Sequence, residues 1–154
     1  MDRNECINRT KKYLQNYRRW KAEAVNLGNE AREIESILSD APAAAIAKYG
    51  DEPGGGTPDL NVIEQSAERR MKLEERLDEI TTRKQQLDNI LARVDTALGA
   101  LNEYLRDLLV MHYVDGRQWT QIAAVHYYSE RWTREQGHMA LALTAEMIFG
   151  LWIS

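Results

Sequence analysis

The residues best suited to recognise another molecule lie in one segment near the carboxy-terminus. Arg131, Arg134, Glu135 and His138 follow Ser129 with mutual spacings of three and four residues, which brings their side chains together on a helix. An arginine can chelate the edge of a guanine, and the other polar side chains can hydrogen-bond the remaining base edges. The chemistry that these residue types favour is recognition of DNA in the major groove.

Three more polar residues, Arg117, Gln118 and Ser129, stand at or just before the predicted starts of helices. Polar side chains and backbone N–H groups at helix starts bind phosphate oxygens. These residues complete the predicted DNA-binding set. The alternative for every member of the set is a solvated surface side chain.

Short helices must position these residues. A first, apolar helix is predicted to end near Tyr113, where Asp115-Gly116 supplies the left-handed residue that terminates it. Trp119, Ile122 and Ala123 then place apolar groups on one face of a short second helix. The small side chain of Ala123 lets a neighbouring helix approach closely.

The third helix follows a tight turn. His126-Tyr127-Tyr128 is predicted to form the turn, Ser129 to be the N-cap, and Glu130 to complement the helix dipole. The helix is expected from Glu130 to Phe149. Three helices in this order predict a helix-turn-helix, whose last helix enters the major groove by its amino-terminal turns.

Two long helices precede this module. Apolar residues recur at coiled-coil spacing along the middle of the chain, with Lys84 as the one polar residue in the seam. The same spacing occurs nearer the amino-terminus. The first seam consists of Leu73, Leu77, Ile80, Lys84, Leu87, Leu91, Val94, Leu98, Leu101, Leu105 and Leu108, and the second of Tyr13, Tyr17, Trp20, Ala24, Leu27, Ala31, Ile34 and Leu38.

The segment between the seams, residues 39–61, contains all three prolines and a Gly54-Gly55-Gly56 run. It is expected to end the first helix near Leu38, with a short alanine-rich turn of helix after Pro42, and to reverse the chain. The second helix is expected from about Asn61, a predicted cap, to Leu98. The predicted fold is all-α: a long antiparallel helical hairpin over 1–98, a coiled coil, followed by a helix-turn-helix over 99–154.

Two features of the hairpin bear on binding. Tyr13, Tyr17 and Trp20 are large for a two-stranded seam, so a second copy of the chain is expected to pack there, and the seam residues Leu87 and Leu91 are predicted to take part in this homo-oligomer. A basic concentration on the first helix is the other feature. These residues either contact phosphates or form a solvated, mixed-charge helix surface. They are Arg9, Lys11, Lys12, Arg18, Arg19 and Lys21.

Composition narrows the class of protein. The 154 residues are 44% hydrophobic and 29% charged, as in a folded domain. The net charge of −4 argues against a general nucleic-acid coat protein, because such proteins bind by neutralising phosphates. With one cysteine, Cys6, and no apolar stretch long enough for a span, we expect neither disulfide nor membrane insertion and predict a cytoplasmic protein. No metal, cofactor or enzymatic motif is recognisable, so an enzyme is not expected.

The pattern Leu-Leu-x-x-His-Tyr-Val-Asp-Gly-x-x-Trp-x-x-Ile-Ala, then Tyr-Ser-Glu-Arg and a later Ala-Leu, resembles that of small phage regulators of the ArpU/RinA type. The match runs from Leu105 to Val125, continues from Tyr128 to Arg131, and ends at Ala140-Leu141. The resemblance implies a carboxy-terminal region similar to sigma factor region 4. It also implies a regulator of phage transcription in a bacterial host, with promoter DNA and RNA polymerase as partners.

A second function stays open beside DNA binding. In a helical adaptor, the sigma-like module would have no DNA surface, and the apolar tail and coiled coil would bind RNA polymerase or another protein. The region 100–154 has four arginines against six acidic residues, which favours the adaptor. So does Gly137, which costs about 1 kcal/mol in a helix interior relative to Ala. The intact Trp-x-x-Ile-Ala and Ser-Glu-Arg elements favour the DNA-binding regulator.

Overall fold

A computed structural model describes residues 1–50 and 60–150, with side chains for 1–40 and 60–150. All regular structure in these residues is helical, which confirms the predicted all-α class. The elements are α1 (Arg3–Gly50), α2 (Leu60–Ala100), α3 (Glu103–Leu109), a π-helical segment (Val110–Val114), α4 (Trp119–His126) and α5 (Glu130–Phe149).

Residues 23–86 form one compact unit, made of parts of α1 and α2. The helices are antiparallel: Arg83 pairs with Glu23 at 3.1 Å, and Arg76, earlier on α2, pairs with Glu30, later on α1, at 2.9 Å. This arrangement confirms the predicted hairpin. All four side chains are well exposed, so the ion pairs set the alignment more than they stabilise it.

Lys84 interrupts the apolar seam of this unit at a position where the facing helix has a glycine. A Cβ on Gly28 would lie 3.0 Å from Cε of Lys84, so the absence of a side chain at 28 makes room for the lysine stem. Lys84 is half-buried. The seam therefore keeps its packing, since the apolar stem takes the place of an aliphatic side chain.

The limits of the long helices differ from the predicted ones. The expected end of the first helix near Leu38 is wrong, because α1 continues past Pro42 to Gly50. Five of residues 41–47 are alanine, and this helix propensity outweighs the disruption that one proline causes. Helix α2 begins at Leu60, so Asn61 lies inside the helix and is not its cap. The glycine run, Pro53 and Pro58 lie outside the described residues.

The second compact unit combines residues 1–22 with the chain from residue 87 onward. The beginning of α1 and the end of α2 share one core with the three short helices. Its buried members are Leu14, Val94, Ala97, Leu98, Leu101, Leu105, Leu108, Leu109, Tyr113, Ile122, Ala140, Leu141 and Ile148. These units cut across the boundary at residue 98 that the sequence suggested.

Helix α2 ends close to the predicted end at Leu98, although the apolar spacing of its seam continues to Leu108. Helix α2 ends at Ala100, and Asn102 starts α3 as an N-cap whose side chain accepts the Leu105 N–H at 2.9 Å. The Arg106 guanidinium closes the break by donating to the carbonyls of Leu98 and Leu101, both at 3.1 Å. The change of direction thus costs no unsatisfied helix-end carbonyl at these two positions.

Candidate nucleic-acid interface

The helix-turn-helix begins where α3 widens into the π-helical segment. The Asp115 N–H donates to the Val110 carbonyl at 2.8 Å, and the Arg117 N–H donates to the Met111 carbonyl at 2.9 Å. Gly116 has φ of +74°, in the left-handed region that favours glycine. The predicted termination at Asp115-Gly116 is confirmed, and it leaves Arg117 and Gln118 exposed directly before α4.

The turn between α4 and α5 differs slightly from the prediction. His126 belongs to α4, and Tyr127 takes the left-handed conformation with φ of 59°, so the turn comprises Tyr127 and Tyr128. Ser129 is the N-cap of α5, as predicted, and its hydroxyl accepts the Trp132 N–H at 3.1 Å. Helix α5 has the predicted limits, Glu130 to Phe149.

Two buried residues explain how α5 packs on the rest of the module. Thr133 is fully buried, and its hydroxyl donates to the Ser129 carbonyl at 2.8 Å, so the polar group is satisfied inside the core. Gly137 is buried as well, and a Cβ at this position would lie 2.2 Å from Cη2 of Trp119. The glycine that looked unfavourable for a helix is therefore what lets the indole lie against α5.

Trp119 also connects α4 to the π-helical segment. The His112 ring stacks on the indole with centroids 3.8 Å apart, and the His138 ring meets the indole edge-on at 6.1 Å. His112 Nδ1–H donates to the Arg117 carbonyl at 2.7 Å. The sequence indicated a DNA-binding role for His138 and a structural or surface role for His112, and nothing in it predicted this stack, although Trp119 and Gly137 were both singled out.

The side chains predicted to read bases are exposed at the amino-terminal end of α5. Arg131 pairs with Glu135 at 3.2 Å, and Arg134 pairs with Glu130 one turn before it. His138 is exposed beyond them. Exposed pairs of this kind are worth about 0–1 kcal/mol, so a guanidinium can exchange its carboxylate for a base edge or a phosphate at little cost.

The residues predicted for oligomerisation lie in different surroundings. Leu87 and Leu91 are 0% and 6% exposed within the single chain. Tyr13 and Tyr17 are half-buried against the core, with the Tyr17 hydroxyl donating to Asp95 at 2.5 Å. Trp20 is half-buried, and its ring lies 5.9 Å from that of Tyr13. This chain's own atoms therefore cover much of the surface assigned to a second copy, and the homo-oligomer stays a prediction.

The net charge of the folded unit differs from that of its carboxy-terminal segment alone. Seven of the first 22 residues are Lys or Arg and two are acidic, whereas residues 87–154 contain five Arg and eight acidic residues. Because both segments belong to one compact unit, the unit as a whole is net positive. The acidic character assigned to the carboxy-terminal module from sequence is thus offset by the start of α1.

The described residues contain no group of three or more side chains arranged to hold a metal ion. Within the same residues, no helix has the length and apolar character needed to cross a membrane. No protein-family model matches the chain, and no curated protein and no solved structure shows significant similarity to it.

His112 is expected to make the module sensitive to acid. Burial lowers its pKa, and nearby Lys11 lowers it further, so that together they outweigh the hydrogen bond to the Arg117 carbonyl, which favours the protonated ring. Because the folded-state pKa lies below the unfolded value of about 6.5, unfolding takes up a proton at mildly acidic pH. The contribution of neutral His112 to the free energy of unfolding is fully present above about pH 6.5. It is lost as the pH falls through the lowered folded-state pKa.

Thermal melts at pH 7.5 and 5.5 measure this effect. The variant His112→Asn keeps an N–H that can reach the Arg117 carbonyl but does not titrate, so we expect its melting temperature to fall less between the two pH values than that of the wild type. An equal fall in both proteins would contradict the assignment to His112.

Proposed function

We propose that this chain is a DNA-binding transcriptional regulator of phage type, which acts at promoters in the cytoplasm of a bacterial host. The observation that carries the proposal is the way in which α5 packs on the rest of the unit. Thr133 and Gly137 bury one side of the helix, while Arg131, Arg134, Glu135 and His138 remain exposed on the other. A helix held in this way can place its first turns in a major groove.

The roles of the residues follow from their positions. Arg131 and Arg134 read base edges, with Glu135 and His138 as neighbouring polar contacts. Arg117, Gln118 and Ser129, all exposed at the starts of α4 and α5, hold phosphates. Double-stranded promoter DNA is the partner, and no cofactor is needed for this recognition.

Arginine truncation on α5 tests the proposal. We expect Arg131→Ala and Arg134→Ala each to weaken binding by about 1–3 kcal/mol on duplexes selected from a random library, because each removes contacts to a base pair. Both side chains are exposed, so the helical circular dichroism should not change. Fluorescence anisotropy at several salt concentrations measures the affinity.

Arg93→Ala is the matched control, since Arg93 is an exposed arginine on α2 outside the predicted contact set. We expect it to bind like the wild type. Wild-type affinity in both α5 variants would assign DNA reading to other residues, and no wild-type binding at low salt would remove the proposal.

The adaptor is the second candidate, and a different surface favours it. Trp132, Met139, Leu143 and Met147 are 46%, 44%, 40% and 44% exposed along α5 and follow one another at spacings of seven, four and four residues. An exposed apolar stripe of this kind suits a protein partner, with RNA polymerase as the candidate that the resemblance suggests. A homo-oligomer is a further candidate partner, which sedimentation of the wild-type protein tests.

A further inference from the structure

The basic residues at the start of α1 lie in the same compact unit as the helix-turn-helix. Lys11 and Arg18 are seven residues apart on α1 and therefore lie on the same side of the helix. Both are exposed. This basic pair is far from the predicted DNA-binding residues in sequence, so only the structure relates the two sets.

An ion pair shows which part of the module Arg18 approaches. Its guanidinium lies 2.5 Å from the carboxylate of Asp115, which comes two residues before Arg117 and three before Gln118, the N-cap of α4. The Arg18 side chain remains 71% exposed. The pair therefore shows where Arg18 lies. Its guanidinium can still exchange the carboxylate for a phosphate, because exposed ion pairs are weak.

Lys11 precedes Arg18 by about two turns on the same side of α1. Its charge reaches His112, whose pKa it lowers. His112 stacks on Trp119, and Trp119 contacts His138, which follows Arg134 by one turn of α5. The segment that Arg18 contacts is thus connected to α5 through the stack of His112 on Trp119 and the contact of Trp119 with His138.

We propose that Lys11 and Arg18 bind the phosphate backbone of double-stranded DNA next to the segment that α5 reads, so that the DNA surface combines the first helix with the helix-turn-helix. This inference rests on the proposed function and adds a second, sequence-independent contact to it. Two cations at phosphates release condensed counterions, which strengthens binding at low salt. The carboxy-terminal segment of this unit is net acidic and repels phosphates, and the positive charge of Lys11 and Arg18 offsets that repulsion.

Salt-dependent binding to a mixed-sequence duplex of about 30 base pairs, roughly three helical turns, tests the proposal. We expect the double variant K11Q/R18Q to bind about tenfold more weakly than the wild type, and the slope of log K against log salt to be less steep by about 2. Each lost phosphate contact accounts for about 0.9 of the slope.

The chain provides a matched control. Lys12 and Arg19 have the same residue types and the same spacing, but lie about 100° further around α1, on the side away from buried Thr10 and Leu14. The variant K12Q/R19Q makes the same change in net charge, and we expect it to bind with the wild-type affinity and slope.

A third variant distinguishes the loss of a DNA contact in K11Q/R18Q from misfolding of that variant. Asp115→Asn removes the carboxylate that competes for Arg18 and leaves the guanidinium in place. We expect D115N to bind severalfold more tightly than the wild type, a gain that misfolding does not produce. An unchanged or weaker affinity of D115N would overturn the proposal.

The outcomes separate this inference from the proposed function. If the wild type does not bind the duplex at low salt, both are wrong. If the wild type binds and K11Q/R18Q matches it, the α1 contact is wrong and the α5 contact stands. Equal losses in K11Q/R18Q and K12Q/R19Q would reduce the effect to net charge and overturn the α1 contact alone.

Discussion

Replacing Leu87 with Asp is expected to destabilise the chain by about 4 kcal/mol or more. Leu87 is fully buried, with 0% of the residue exposed. Truncating a buried leucine costs about 2–5 kcal/mol through lost contacts and the remaining cavity. A carboxylate at such a site must in addition be desolvated or pull water into the seam, which adds several kcal/mol.

This loss is a large part of the 5–15 kcal/mol by which domains are usually stable. We therefore expect Leu87→Asp to have much less helical circular dichroism at 25 °C or a strongly lowered melting temperature. Met71→Asp is the control, because Met71 lies on the same helix and is 60% exposed. An unchanged melting curve for Leu87→Asp would contradict the buried seam.

Replacing Gly137 with Ala is expected to have the second large effect. In an open helix interior this change stabilises by about 1 kcal/mol, because alanine has the higher helix propensity. At position 137 the new Cβ would lie 2.2 Å from the Trp119 ring, so the ring or the helix must shift. Such overpacking costs about 1–3 kcal/mol, and we expect a net loss of stability, measured by urea unfolding.

A double-mutant cycle isolates the cause. In a Trp119→Leu background the obstacle is gone, so Gly137→Ala should become neutral or stabilising. Gly99→Ala is the control on another helix, since a Cβ there meets no atom within 4 Å. If Gly137→Ala destabilises both backgrounds equally, contact with Trp119 is not why position 137 is glycine.

Local signals in the sequence were sufficient for the carboxy-terminal turns. The Ser129 cap and the left-handed Gly116 were predicted because each depends on the residue's own chemistry and its immediate neighbours. The seam alone did not mark the end of α2, which was predicted near Leu98, because the apolar spacing continues across it: Leu98, Leu101, Leu105 and Leu108 are all buried on either side of the bend. Periodicity records which residues are buried, and it does not record a change in helix direction.

The limits of α1 show the opposite case. The first helix was expected to end near Leu38, ahead of Pro42, but the backbone stays helical through the alanine-rich segment to Gly50. Propensity over several residues outweighed the penalty of one proline. A single residue type was therefore a weaker guide to the helix end than the composition of its neighbourhood.

Hydrophobic periodicity and capping chemistry were enough to establish an all-helical chain, an antiparallel hairpin and an exposed arginine-bearing helix. Helix formation and capping depend on nearby residues, whose geometry is set by the backbone itself, and two apolar seams joined by a Pro- and Gly-rich connection indicated the hairpin. Which other distant segments come together was decided by the tertiary packing alone. The contact of Gly137 with Trp119 and the ion pair of Arg18 with Asp115 depend on the shared core, because no short-range rule relates residues so far apart along the chain.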